Sequence, residues 1–238
     1  MRGQRWKLRQ WLMLFIALLY GSCAFASSYP TDSQLRKAIV DISGLLKTEG
    51  LQVVILDAQK EGISLPLMVA GLSLTSGACL VFYNSQPVED LERFFAATEE
   101  KDLSIWLNAI AVHEVTHCIE QREAYVRKRF EKVLPPGFKQ DNLTVQGYLT
   151  VIKSGVVETW GEALADIAAV LYFKSIVPAQ WQSFANRLAT MREELAFKYP
   201  EHNTAPWLHS VINADIDKSV DQNIFDAAFQ LRKQFRPD

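Results

Sequence analysis

The pentapeptide His113-Glu114-Val115-Thr116-His117 puts two imidazoles and one carboxylate where a metal ion and its water can use them. At about 100° per residue, four residues return a helix to within roughly 40° of its starting face. His113 and His117 therefore reach one ion together, with Glu114 projecting beside them. The chemistry that suits this spacing is zinc-assisted hydrolysis. A catalytic zinc takes three protein ligands, keeps a position for water, and needs a carboxylate outside the ligand set to accept that water's proton. The chain has only 4 histidines, which makes two of them at this spacing informative. The plainer reading of the same residues is a half-buried helix whose histidines only make hydrogen bonds.

A third ligand is required. Glu120 shares the face of His113 and His117, but seven residues at a rise of 1.5 Å put it about 10 Å along the axis from His113. Ligand bonds near 2 Å do not span that. The pattern H-E-x-x-H-x-x-G-x-x-H is excluded, because Glu120 stands at its glycine and Glu123 at its third histidine. A distant helix must contribute instead. Apolar periodicity marks 156–173 as such a helix, and it carries Glu158, Glu162 and Asp166 four residues apart on one face. Beside Val157, Leu164, Ile167 and Ala168, these carboxylates are costly to bury unless a positive charge compensates them.

In these motifs the chain resembles the gluzincin zinc metallopeptidases, the thermolysin-like grouping. There H-E-x-x-H is followed on a later helix by a glutamate ligand and, four residues on, an aspartate; in this sequence that pattern reads Glu162-Ala163-Leu164-Ala165-Asp166. The resemblance covers about Ile110 to Leu171. It implies Glu162 as third zinc ligand and Asp166 as the acceptor that fixes the tautomer of a ligand histidine. The separation of 45 positions between His117 and Glu162 is longer than the thermolysin arrangement and leaves Glu158 as a rival ligand. In the first turn of its helix, Glu158 also suits the helix dipole. Thermolysin-like enzymes use a histidine downstream of the glutamate ligand to stabilise the oxyanion, a role open to His202 or His209. They also pair an extended substrate with an edge strand above the metal helix. Leu80 to Asn84 is the candidate for that strand, with an interior strand as the other reading.

The implied fold class is α+β: a mainly helical, zincin-like domain with a small sheet and a central metal-binding helix. In 238 residues, 49% apolar and 22% charged, there is material for one such domain, over 27–238. Residues 1–26 read as a secretory signal peptide. Arg2, Arg5, Lys7 and Arg9 form the basic region, Trp11 to Tyr20 the apolar stretch, and Ala24-Phe25-Ala26 the cleavage site. An apolar run of about ten residues is half of what spans a bilayer, so no stable transmembrane segment is expected after processing. The stretch ending at Cys23 also resembles a lipobox weakly, which would leave a lipid-anchored cysteine.

Cleavage removes those four basic residues and no acidic one. The remaining 21 Lys and Arg against 27 Asp and Glu give a charge of −6, which disfavours nucleic-acid partners. Cys79 and Cys118 remain, either bridged in an oxidising compartment or buried as small hydrophobes. Cys118 points about 100° away from His117 and is a poor zinc ligand.

Thr31 and Asp32 can cap a helix to about Thr48, Leu51–Leu56 and Ala78–Tyr83 read as strands, and Pro87–Phe95 as a short helix. The metal helix is expected from about Leu103 to Phe130, closing in Arg127, Lys128, Arg129 and Lys132 as a solvated basic end. Pro135-Pro136-Gly137 stops it, and a polar connection through Asp141, Asn142 and Gly147 follows. Further helices are expected at Pro178–Lys198 and Ser219–Phe235. Asn142-Leu143-Thr144 fits a glycosylation sequon, which matters only in a host that glycosylates.

The sequence thus reads as an exported zinc-dependent metallopeptidase acting on a peptide or protein. His113, His117 and Glu162 hold the ion, Glu114 is general base, and Asp166 orients a ligand. The alternative is an exported binding or scaffold protein with a closed structural zinc site, in one form a lipid-anchored envelope factor.

Overall fold

A computed structural model of the chain describes residues 29–138, 143–155, 157–214, 216 and 223–237. The signal-peptide and lipobox readings, and Asn142 of the sequon, lie outside the described residues. The described elements give a mixed α and β chain, mostly helical, with one small sheet. Helix α1 (Asp32–Thr48) starts at Thr31, whose hydroxyl accepts from the Gln34 amide while the Gln34 side chain accepts from the Thr31 amide. This reciprocal cap satisfies two amides that a helix start otherwise leaves unpaired.

Three strands follow: β1 (Val53–Asp57), β2 (Met68–Leu72) and β3 (Cys79–Tyr83). β3 lies in the middle, parallel to β1 and antiparallel to β2. The candidate edge strand at Leu80 to Asn84 is therefore interior, and the edge role passes to β2, an element the sequence reading missed. Val81 and Tyr83 point into the core, as the alternation of a half-covered sheet requires.

Short α2 (Glu89–Ala96) leads into α3 (Glu100–Tyr125), the metal-motif helix. Apolar residues lie all round α3, including Leu103, Trp106, Leu107, Val112, Val115 and Ile119. A helix that is apolar on every side belongs inside the fold. It packs against α1 and β2 and against α6 (Glu158–Ile176), which follows α4 (Phe130–Val133) and α5 (Val145–Lys153). The small side chains of Ala163, Ala165, Ala168 and Ala169 suit close packing of α6 in the core. Helices α7 (Trp181–Leu195), α8 (Ala205–Asn213) and α9 (Ile224–Gln234) complete the described elements. None of the described helices is long and apolar enough to cross a membrane.

The metal helix stops at Tyr125, five residues before the expected end. Lys128 then takes a left-handed backbone, φ 55°, and the chain doubles back into α4. The basic cluster thus lies beyond the helix end, with Arg127, Lys128 and Arg129 exposed to solvent as expected and Lys132 half-buried. Arg127, Arg129 and Lys132 all approach the buried carboxylate of Glu123, and Lys132 also reaches Asp226. Glu120, placed by sequence on the ligand face but too far along the axis, has a structural partner. Arg232 of α9 is fully buried and donates to Glu120 Oε1 at 2.6 Å and to the Trp160 carbonyl at 2.9 Å. That guanidinium ties α3, α6 and α9 together. Removing one partner of such a pair leaves the other charged and buried, at a cost of about 3–5 kcal/mol.

Cys79 of β3 and Cys118 of α3 form a disulfide, with Cα atoms 5.6 Å apart. Both are fully buried, and the bridge fastens the central strand to the helix directly behind His117. Cys118 is thereby removed from any role as a metal ligand. The bridge closes a loop of 39 residues, which the chain-entropy relation values at about 4 kcal/mol. Guanidinium unfolding of a Cys79→Ala/Cys118→Ala variant should show a loss of about 3–4 kcal/mol, and an unchanged unfolding midpoint would show that the bridge does not stabilise the fold.

Candidate metal centre

Helix α3 presents His113 and His117 toward Glu162 and Asp166 of α6, and sets Glu114 against the Ala70 amide of β2. One donor atom each from His113, His117 and Glu162 lies within 4.8 Å of the others. His113 Nε2 is 3.3 Å from Glu162 Oε2, and His117 Nε2 is 3.4 Å from Glu162 Oε1. Two atoms each about 2.1 Å from one ion, at the tetrahedral angle, are about 3.4 Å apart. The group is close enough to hold one cation between its members.

A second observation agrees. Glu162 Oε2 is buried and has no hydrogen-bond partner among the described residues, although His202 Nδ1 stands 3.0 Å away. Orphaned buried carboxylate oxygens are rare and call for an unseen ion or water. The three residues thus fit a divalent metal ion through two imidazoles and a carboxylate, a donor set that several first-row ions accept.

Behind the group, Asp166 is the most heavily bonded side chain of the site. His113 Nδ1 lies 2.8 Å from its Oδ1. Arg192 of α7 donates to it through two nitrogens, each at 2.8 Å, and the Thr204 hydroxyl donates to Oδ2. With Nδ1 engaged, His113 turns Nε2 toward Glu162, which is the tautomer a ligand needs. The structure brings Asp166 to the His113 ring and adds Arg192 and Thr204, which sequence reading missed. No spacing rule links them to the motif. The only signal was that carboxylates on an apolar helix require compensation.

The electrostatics follow from this crowding. Burial would raise the Asp166 carboxyl, but Arg192 and His113 hold it well below the usual range. Burial likewise opposes ionised Glu162, and the His113 and His202 imidazoles overcome it, keeping the carboxyl well below its ordinary value. For His113 burial disfavours the imidazolium, yet Asp166 and Glu162 lift its pKa to about 10. Two ionised carboxylates that hold a proton this firmly attract a metal cation in its place. Glu114 moves the other way. Burial raises it, against the pull of the two histidines, while its Oε2 accepts from the Ala70 amide of β2 at 3.1 Å.

The remaining candidates separate clearly. The short 3₁₀ turn Pro200–His202 brings His202 back to α6, where Glu162 raises its pKa against partial burial. His209 is on the surface, its Nε2 2.8 Å from Glu193 Oε1. Glu158 is exposed and groups with Glu201 and His202 instead of joining the buried set. It is therefore not the third member beside His113 and His117. Next to the group, a cavity of about 200 Å³ opens onto His113, Glu114 and His202; Leu67, Met68, Phe94, Ile110, Phe173 and Met191 line it.

Asp166→Asn should weaken divalent-metal binding about 10- to 100-fold, as read by competition with a chelator. Equal affinity in the variant would mean that the carboxylate does not orient His113. Comparison of the chain with protein-family models, with curated proteins and with solved structures finds no match in any of the three.

Proposed function

We propose that this chain is a zinc-dependent metallopeptidase of the zincin type, exported to an oxidising compartment. The observation that carries the reading is the His113, His117 and Glu162 group, with donor atoms within 4.8 Å of one another and Glu114 beside it but outside it. Zinc bound by these three residues would polarise a carbonyl and lower the pKa of its water toward about 7.

The chain's own residues supply the rest. Glu114, raised by burial, is poised to take a proton from the attacking water and to pass it to the leaving amine. Its bond to the Ala70 amide fixes one oxygen and leaves the other to work. Asp166, held by Arg192 and Thr204, keeps the His113 ring from turning. His202, with its pKa raised and its ring at the mouth of the cavity, is the donor for the oxyanion. His209 has no part. The apolar cavity, which Met68 of β2 borders, suits a bulky aliphatic or aromatic side chain next to the scissile bond. The Cys79–Cys118 bridge suits a protein that works outside the reducing cytosol.

A scaffold protein with a closed zinc site is the second reading. It needs a fourth protein ligand, and the nearest nitrogen is His202 Nδ1, 3.0 Å from Glu162 Oε2. His202 lies outside the group formed by the other three, which favours the open site.

The purified protein should carry one zinc and cleave peptides with a large apolar residue beside the cut, and a chelator should abolish the activity. Glu114→Gln should keep the zinc while turnover falls on the order of 10²–10⁴-fold. His113→Ala and Glu162→Ala should lose both metal and turnover. A Glu114→Gln protein of normal activity would end the peptidase proposal.

A further inference from the structure

The cavity beside the metal group is walled by α3 and α6, which run antiparallel there. His113 meets Asp166 at 2.8 Å on the metal side, and Trp106 meets Phe173 further along, with ring centroids 5.1 Å apart. Between these two pairs the wall is formed by Ala109 and Ale169 methyl groups, small enough to leave a space. Seven residues at a rise of 1.5 Å put Trp106 about 10 Å along the axis from His113. The cavity has a volume of about 200 Å³. An apolar cavity of about 150 Å³ in another protein holds benzene, so this one has room for a ring and a further group on it.

Trp106 carries a polar group that the fold does not use. It is buried, it lines the cavity, and its Nε1 has no hydrogen-bond partner among the described residues. Its ring packs edge-on or tilted against Phe94, Phe173 and Phe184, none of which has an oxygen or nitrogen in its side chain to accept the hydrogen. Arg187 lies over the ring at 5.2 Å, but a guanidinium only donates, and this one is bonded to the Phe94 carbonyl and the Thr98 hydroxyl. Elsewhere the chain does pair its indoles: Trp160 donates to the Val133 carbonyl and Trp207 to the Arg232 carbonyl. A buried indole N–H usually finds a partner, and an orphan on the wall of a cavity calls for an acceptor that enters it.

We infer that Trp106 determines specificity in this cavity, its N–H donating to the hydroxyl oxygen of a phenol ring. An aliphatic or plain phenyl group fills the space and leaves the indole unpaired. A carboxylate would be buried against a single neutral donor, which costs more than the bond returns. A neutral oxygen at the tip of a ring has both the shape and the acceptor. This deepens the peptidase reading and rests on it for the substrate: the residue beside the cut is tyrosine, preferred over phenylalanine because a site that bonds a hydroxyl discriminates against the analogue without one.

The test has a binding arm and a cleavage arm, both on zinc-loaded protein. In the first, 4-methylphenol and toluene, the side chains of tyrosine and phenylalanine in isolation, are titrated into the wild type and Trp106→Phe. One neutral hydrogen bond shifts binding about 3- to 10-fold, so the ratio of the toluene Kd to the 4-methylphenol Kd should fall by that factor in the variant. In the wild type the NMR resonance of the Trp106 indole N–H should move downfield with 4-methylphenol and not with toluene. That reading needs no turnover, and it decides the matter should Trp106→Phe fail to fold. In the second arm, peptides differing only in tyrosine or phenylalanine beside the cut should show a kcat/KM ratio of about 3 to 10 in favour of tyrosine, lost in Trp106→Phe. A resonance that 4-methylphenol leaves in place, or equal ratios in the two proteins, overturns the role of Trp106, and cleavage of both peptides would leave the peptidase reading intact. A resonance that responds to 4-methylphenol in a protein that cleaves no peptide keeps the phenol site and overturns the peptidase reading with its tyrosine substrate.

Discussion

Two carboxylates one turn apart on the most buried helix of the fold set the terms for everything around them. Glu162 and Asp166 lie on α6 among residues that are almost wholly enclosed. An ionised carboxylate in such surroundings costs several kcal/mol unless charge and hydrogen bonds replace its water. For Asp166 the replacement is complete, with His113, both arms of Arg192 and the Thr204 hydroxyl around two oxygens. For Glu162 it is less complete, because Oε2 lies 3.0 Å from His202 Nδ1 and 3.3 Å from His113 Nε2 without a well-aligned hydrogen bond to either. The difference divides the labour. Asp166 is a fixed anchor for the ring of His113, whereas Glu162 still has coordination to give.

That anchor explains the path of the chain after α6. Arg192 reaches back from α7, and the residues from His202 to Thr204 return from the following turn, so three consecutive pieces of chain converge on one carboxylate. Charge-assisted and bidentate bonds of this kind are directional as well as strong, and they hold geometry better than apolar contact does. The buried Arg232 does similar work at the far end of the same helix pair, against Glu120 and the Trp160 carbonyl. The α3 and α6 axes are thus pinned at both ends of the metal group.

The parts that were legible in the sequence are those in which spacing encodes contact. His113 and His117, four apart, meet on one helix face, and Glu162 and Asp166, four apart, meet the same face from opposite. Helix α1 follows from its Thr31 cap, α3 from the four-residue spacing of its histidines and α6 from its apolar periodicity. What was illegible depends on contacts between segments far apart in the chain. Nothing local marks Arg192, 26 residues beyond Asp166, and nothing local separates His202 from His209 until the 3₁₀ turn points one inward. Strand β2 escaped notice because Met68-Val69-Ala70-Gly71-Leu72 is short and its Ala and Gly are poor strand formers. It becomes a strand through pairing with β3 and packing on α3. Without β2 in view, the more strand-like run at Cys79–Tyr83 took the edge role it does not have.

Locating the edge at β2 also shows how the sheet is held to the metal helix. The disulfide from Cys79 to Cys118 ties the middle strand to α3 one residue past His117. Glu114 and Gln121 tie the edge strand to the same helix, about one turn before His117 and one turn after it. The fastenings flank the His113, His117 and Glu162 group, so a covalent bridge and hydrogen bonds set the distance between sheet and helix there. Such a site can discriminate by shape, because a group held to within about half an ångström responds to small differences in what it binds.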